Sequence, residues 1–181
     1  KYDREYWYRT EFEVPAELDK ELLWLNFRGI NRKGTIFLNG TRLGELDGFM
    51  HRGRFDVTKI VRRSGKNTLA VLVDIPRGSL GNNASPTYIC SAGWDWMPYV
   101  PGLNSGITDK VYLSTSNALT LADPWIRSEL PSTARADVSI RLGVRNDSEQ
   151  YASGEVSGVI MPGDIRFSTR VNVEPGRTAE G

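Results

Sequence analysis

Residues 34–46 read GTIFLNGTRLGEL, and this stretch decides the fold class. A short run of apolar side chains ends at Asn39-Gly40, the dipeptide that most strongly predicts a two-residue β-hairpin. The chain then returns through residues 41–46, which end on another apolar side chain. Two strands joined by a tight turn are therefore predicted near the centre of the first hundred residues.

The surrounding sequence repeats a period of two, which is typical of half-buried strands. Residues 7–14 alternate large apolar with polar side chains and stop at Pro15, and residues 22–28, 67–74 and 110–114 also indicate strands. Residues 56–61 predict one short helical turn. Because no helical stripe of useful length occurs, the fold class predicted is all-β, as a β-sandwich.

Loop-forming segments and a change in the strand pattern divide the chain into two predicted β units. Residues 77–106 are rich in Gly, Asn, Ser and Pro and predict a loop much longer than usual connections, and such loops often carry function. We place the boundary after Asn117, which gives domains at 1–117 and 118–181. Strands are predicted at 119–130, 136–144 and 154–161, with a turn at Asn146-Asp147-Ser148. An immunoglobulin-like sandwich needs about 100 residues, so the second domain is predicted to be truncated.

Composition excludes several classes of function. The 181 residues carry a formal net charge of +1, which gives no electrostatic basis for binding nucleic acid or an anionic membrane. One cysteine, Cys90, and one histidine, His51, cannot form a zinc site or a disulfide, and we predict neither metal nor cofactor. No apolar run approaches a membrane span or a signal peptide. We expect His51 to be a turn residue and Cys90 to be buried and inert.

Several short motifs follow one another along the chain. They are LNFRGIN at 25–31, IFLNG at 36–40, GFM at 48–50 with Arg52, FDVT at 55–58, GKNTLAV at 65–71, GWDWMP at 93–98, NSGI at 104–107 and DKVYL at 109–113. Taken together, they resemble the N-terminal sugar-binding domain of family 2 glycoside hydrolases. The resemblance covers roughly residues 6–146 and is most specific at residues 93–98, which are similar to the branch of β-mannosidases, endo-β-mannosidases and exo-β-glucosaminidases.

The resemblance implies a galactose-binding-like jelly roll followed by the start of an immunoglobulin-like domain. It also implies an accessory role, because in that family two glutamates on a separate (β/α)8 barrel carry out retaining hydrolysis. The chain alone is therefore expected to be inactive, with a carbohydrate and the barrel of the same parent chain as its partners. A periplasmic or extracellular location is implied by the family's habits.

The resemblance further implies which residues face the sugar. In the mannosidase-like branch a Trp-Asp-Trp loop reaches the active site of the barrel, so Asp95 would accept hydrogen bonds from sugar hydroxyls, and Trp94 or Trp96 would stack on a sugar ring. The chain departs from the family at Thr108, where a tryptophan is usual.

Purely structural roles are equally open for these residues. The tryptophans can equally pack the loop onto the sandwich while Asp95 pairs with an arginine, and we expect Arg52 and Arg54 to be solvated. Asn82, Asn83 and Asn104 fit turns better than sugar contacts. Two other functions compete with the accessory role: a stand-alone carbohydrate-binding module with a platform of Trp94, Trp96 and Tyr99, and a structural β-sandwich of a surface protein.

Overall fold

A computed structural model describes residues 4–18, 20–74 and 105–180. The regular structure in these residues is β-strand throughout, which confirms the predicted fold class. The chain divides into two compact units, Lys1–Thr115 and Ser116–Gly181, two residues before the predicted boundary. The strands are β1 (Tyr6–Phe12), β2 (Leu22–Phe27), β3 (Ile30–Asn31), β4 (Lys33–Leu38), β5 (Thr41–Asp47), β6 (Gly53–Asp56), β7 (Asn67–Asp74), β8 (Gly106–Ile107), β9 (Val111–Ser116), β10 (Leu119–Ser132), β11 (Arg135–Asn146), β12 (Ala152–Ile160), β13 (Ile165–Val173) and β14 (Thr178–Glu180).

The first unit is a two-layer sandwich. One sheet has the order β1-β7-β4-β5, the other has the order β6-β2-β9, and β3 pairs with β8 in a short additional ladder. Strands β4 and β7 alternate buried with half-buried residues, so one face of each lies in the core. Strand β2 is buried along its whole length, and its Leu23, Leu25 and Phe27 pack against Ile36, Leu38, Val71 and Val73 of the opposite sheet.

The predicted hairpin at Asn39-Gly40 is confirmed. Both residues have positive φ, 52° and 84°, as the type I′ turn of a two-residue hairpin requires. The Asn39 side chain also donates to the backbone oxygen of Ile60 at 3.1 Å and to Oδ1 of the fully buried Asn67 at 2.8 Å. The turn residue therefore ties the hairpin to the body of the sandwich.

The predicted single helical turn after β6 is also confirmed. The backbone N–H of Val61 donates to the oxygen of Val57 at 2.8 Å, and the N–H of Thr58 donates to Oδ1 of Asp56 at 2.9 Å. An aspartate that accepts from the backbone two residues ahead is a common way to start such a turn. Val57 and Val61 place this turn in the core.

The second unit contains two antiparallel sheets, β10-β11-β14 and β12-β13, around Val144, Val156 and Val173. Its described residues form five strands, against about seven in an immunoglobulin-like domain. The turn predicted at Asn146 is present, since its buried side chain donates to the oxygens of Gln150 and Val173 and accepts from the N–H of Ser148. Ile126 and Leu130 remain largely exposed, so the core of this unit is small.

Candidate functional site

Residues 75–104 join the first unit at two neighbouring points. Strand β7 ends at Asp74, which is the ladder partner of Lys33, and β8 begins at Gly106, which is the partner of Asn31. Ladder partners lie about 5 Å apart and residues two apart along a strand about 7 Å apart, so the two ends lie within roughly 18 Å. We call this region, Ile30 to Lys33 with Asp74 and Gly106, the loop base.

Part of the loop base is buried and closely packed. Ile30 and Asn31 are almost completely inaccessible to solvent. A Cβ on Gly106, whose φ is 138°, would come within 2.8 Å of the Tyr8 hydroxyl oxygen. Only glycine fits a left-handed backbone position with so close a neighbour. The chain therefore re-enters the sandwich at a position that tolerates little change.

A tight turn borders the loop base. The N–H of Gly48 donates to the backbone oxygen of Arg32 and the N–H of His51 donates to that of Gly48, each at 3.0 Å. The guanidinium of Arg32 pairs with the Asp47 carboxylate at 3.0 Å. His51 is thus a turn residue, as predicted, and Met50 stands 80% exposed at the tip.

One acidic side chain at the loop base has an unusual environment. The Oδ1 atom of Asp74 is buried and accepts no hydrogen bond within the described ranges. Buried carboxylate oxygens nearly always have a donor. Asp74 is therefore an acceptor to which another group can donate.

The residues that the sequence singled out are only partly covered by the described ranges. Trp94, Asp95 and Trp96 lie outside them, as do Asn82, Asn83, Cys90, Tyr99 and Asn104. Arg54 is exposed, and its guanidinium lies 3.6 Å from the centre of the Trp24 ring, a cation–π contact rather than simple solvation. Arg52 is exposed. Thr108, at the family's tryptophan position, packs against Gly29, whose backbone oxygen accepts its N–H at 3.1 Å.

Sequence reasoning missed the loop base itself. Asn31 and Gly106 lie in strands of two residues, which have no readable periodicity. The hairpin signal did locate β4, from its second residue, Gly34, onwards. Their convergence could not be predicted because 75 residues separate the partners Asn31 and Gly106.

Two glutamates of the four-stranded sheet are held in their charged form. The hydrogen bond from Arg9 lowers the pKa of Glu11, and the hydrogen bond from Arg42 lowers the pKa of Glu45. A glycosidase acid needs the opposite shift, because it must stay protonated near neutral pH. These two glutamates therefore serve ion pairs on the surface.

Removing the guanidinium of Arg9 should raise the pKa of Glu11. A lowered pKa means that the ion pair contributes stability above the ordinary glutamate pKa, and that this contribution is lost as the pH falls through the lowered value. We expect Arg9→Ala to move the titration of Glu11, followed by carbon NMR of the carboxyl group, towards higher pH. Glu45 is the internal control and should not move; an unchanged Glu11 curve would contradict the assignment of Arg9 as the main cause.

Within residues 4–18, 20–74 and 105–180, no cluster of three or more His, Cys, Asp or Glu side chains has a geometry suited to a metal ion. In the same part of the chain no helix is long and apolar enough to cross a membrane.

Comparison with known proteins identifies the family. The family model described as "Glycosyl hydrolase 2 galactose-binding domain-like" matches residues 2–109. An exo-β-D-glucosaminidase of Streptomyces avermitilis is 30% identical over 179 residues, which is 96% of this chain and 19% of that protein. A mannosylglycoprotein endo-β-mannosidase of Lilium longiflorum is 34% identical over 132 residues, 65% of this chain and 14% of that protein.

A solved structure of a relative has a similar fold over nearly the whole chain. The exo-chitosanase of Amycolatopsis orientalis superposes with a TM-score of 0.80 at 26% identity, covering 99% of this chain and 20% of that one. The present chain thus spans 14% to 20% of the length of these relatives. The jelly roll predicted from the motifs is the galactose-binding-like domain of these enzymes, and the matched region is a non-catalytic one. The chain belongs to family 2 of the glycoside hydrolases.

Proposed function

We propose that this chain is the N-terminal accessory part of a longer glycosidase that cleaves β-mannosidic or β-glucosaminidic linkages. The named relatives act on such linkages, and the chain covers only 19% and 14% of their lengths. In this proposal a catalytic barrel of the same polypeptide carries the two reacting carboxylates.

We further propose that Trp94, Asp95 and Trp96 supply one sugar contact of that enzyme. The observation that carries this is the loop base: the chain leaves the described strands at Asp74, opposite the half-buried Lys33, and returns at Gly106, opposite the buried Asn31. Binding groups are held precisely when rigid elements position them. A carboxylate and two aromatic rings between such ends can contact a sugar without any change in the sheet ladders that hold the ends.

The purified 181-residue chain should release no p-nitrophenol from p-nitrophenyl β-mannoside or β-glucosaminide above the buffer rate. The reason is that the described carboxylates with shifted pKa values, Glu11 and Glu45, are shifted away from the value a general acid needs. A longer enzyme that contains this chain, assayed alongside, should hydrolyse one of the two substrates. Turnover by the chain itself would refute the accessory role.

A further inference from the structure

The outer face of the four-stranded sheet carries an exposed aromatic platform. Phe12 of β1 packs on the core, so alternate residues of that strand, including Trp7 and Arg9, point away from it. Trp7 is opposite Leu72 and Arg9 is opposite Ala70 on β7. On the far side Ala70 is opposite Phe37 of β4. We call Trp7, Phe37, Ala70 and Leu72 the aromatic platform.

The rings of the platform form one surface. The ring centres of Trp7 and Phe37 are 5.7 Å apart and the rings are inclined at 44°. This spacing brings the two rings into contact across the small Ala70. Trp7 is nevertheless 60% exposed, although burial is the usual state of so large an apolar side chain. A large aromatic face is thus presented to solvent by a strand rather than by a loop.

Ion pairs border the platform on both sides. On one side Glu11 is held by Arg9 at 2.8 Å and by Lys66 at 3.6 Å. On the other side Glu45 is held by Arg42 at 2.8 Å and by Lys33 at 3.5 Å, and it also accepts from the Thr35 hydroxyl at 3.3 Å. Each carboxylate is already neutralised by two cations. The borders therefore offer many hydrogen-bond donors and acceptors, but they create no strong electrostatic field that would attract a charged partner.

We propose that this platform binds a neutral pyranose chain, as a carbohydrate site built from residues of strands β1, β4 and β7. The apolar face of a pyranose ring matches the exposed Trp7 ring, and hydroxyl groups match the alternating guanidinium, ammonium and carboxylate groups of the borders. A rigid tryptophan on a strand loses little conformational freedom on binding. Packing against another part of a longer chain is the competing outcome.

The test is a titration of the 181-residue chain with neutral oligosaccharides, mannohexaose and fully N-acetylated chitohexaose, followed by NMR of the indole N–H groups. The Trp7 signal is assigned as the one missing from Trp7→Tyr. We expect it to shift saturably, with a dissociation constant on the order of 10⁻⁴ to 10⁻³ M. Trp7→Ala should weaken binding at least about tenfold, whereas Trp7→Tyr, which keeps a ring, should weaken it less.

Matched controls separate this site from other effects. Trp125→Ala removes a similarly exposed tryptophan from the second unit and should leave binding unchanged. Asp95→Ala should also leave it unchanged, so the two sugar-site proposals can fail independently. The proposal is overturned if no neutral oligosaccharide moves the Trp7 signal at about 10 mM, which would indicate a packing surface. It is also overturned if only a fully deacetylated, cationic glucosamine oligomer binds, or if Trp125→Ala weakens binding as much as Trp7→Ala.

Discussion

Asp95→Ala in an intact glycosidase that contains this chain should lower kcat/KM by roughly 10²- to 10³-fold while the melting temperature holds. In the proposal the Asp95 carboxylate accepts from sugar hydroxyls, and bonds to a charged acceptor are about twice as strong as neutral ones. Losing them in a water-excluded subsite weakens transition-state binding and leaves hydroxyl groups unpaired. Initial rates on p-nitrophenyl β-mannoside and β-glucosaminide, together with calorimetry, measure both effects.

Asp109→Ala is the matched control for this experiment. Asp109 belongs to the same unit, is about half exposed and is only loosely paired with Arg28, at 3.8 Å. It should leave kcat/KM unchanged within about twofold, because exposed ion pairs contribute little. Equal losses in both variants, or no loss in Asp95→Ala, would contradict the proposed sugar contact.

The close spacing of the loop ends provides a second variant. Residues 76–104 can be replaced by a Gly-Ser linker of about eight residues, which spans up to roughly 26 Å and so bridges Asp74 and Gly106. Activity should fall at least as far as in Asp95→Ala, whereas the sandwich should still unfold cooperatively. An active deletion variant would show that the segment takes no part in binding the substrate.

Phe27→Ala should destabilise the first unit by about 3–5 kcal/mol. Phe27 is 1% exposed at the end of β2, and its ring meets the edge of Phe55 at a centre distance of 6.2 Å and an angle of 84°. Truncation removes the apolar contacts that the Phe27 ring makes with the opposite sheet. It leaves a cavity that the surrounding strands fill only in part. In denaturant unfolding, the transition of the first unit should therefore move to a markedly lower midpoint.

Two comparisons make this result specific. The transition of the second unit should stay in place, because its core of Val144, Val156 and Val173 is a separate cluster. Met50→Ala, at a side chain 80% exposed, should change the stability by less than about 0.5 kcal/mol. A loss below about 1 kcal/mol for Phe27→Ala would mean that Phe27 does not anchor the core described here.

Elements with a strong local signal were predictable. The type I′ hairpin follows from Asn39-Gly40 alone, because these residues accept positive φ at little cost. Strand β7 matches the predicted residues 67–74, and the alternation over 7–14 located β1 within two residues at its C-terminal end. Strand β13 was missed although Ile165, Phe167, Val171 and Val173 carry a period-two signal.

Pairings between distant segments were not predictable in the same way. The β3–β8 ladder is two residues long on each side, and short strands carry no period. Trp7 and Trp24 illustrate the same limit: both lie in apparent strands, yet one is 60% exposed and the other 4%. What covers a ring depends on the neighbouring strands and sheets, which one strand's pattern does not specify.

Local sequence signals were enough to predict the all-β class, the hairpin, the short helical turn and, through motif resemblance, the family. These depend on backbone preferences and periodicities that act over a few residues. Two placements depend on the tertiary structure: Asp74 lies opposite Lys33 and Gly106 opposite Asn31 at neighbouring points, and Trp7 and Phe37 share one exposed face. Contacts between distant segments cost conformational entropy, because long loops must be closed. Only burial of the complete core offsets this cost, so these neighbours depend on packing of the whole sandwich.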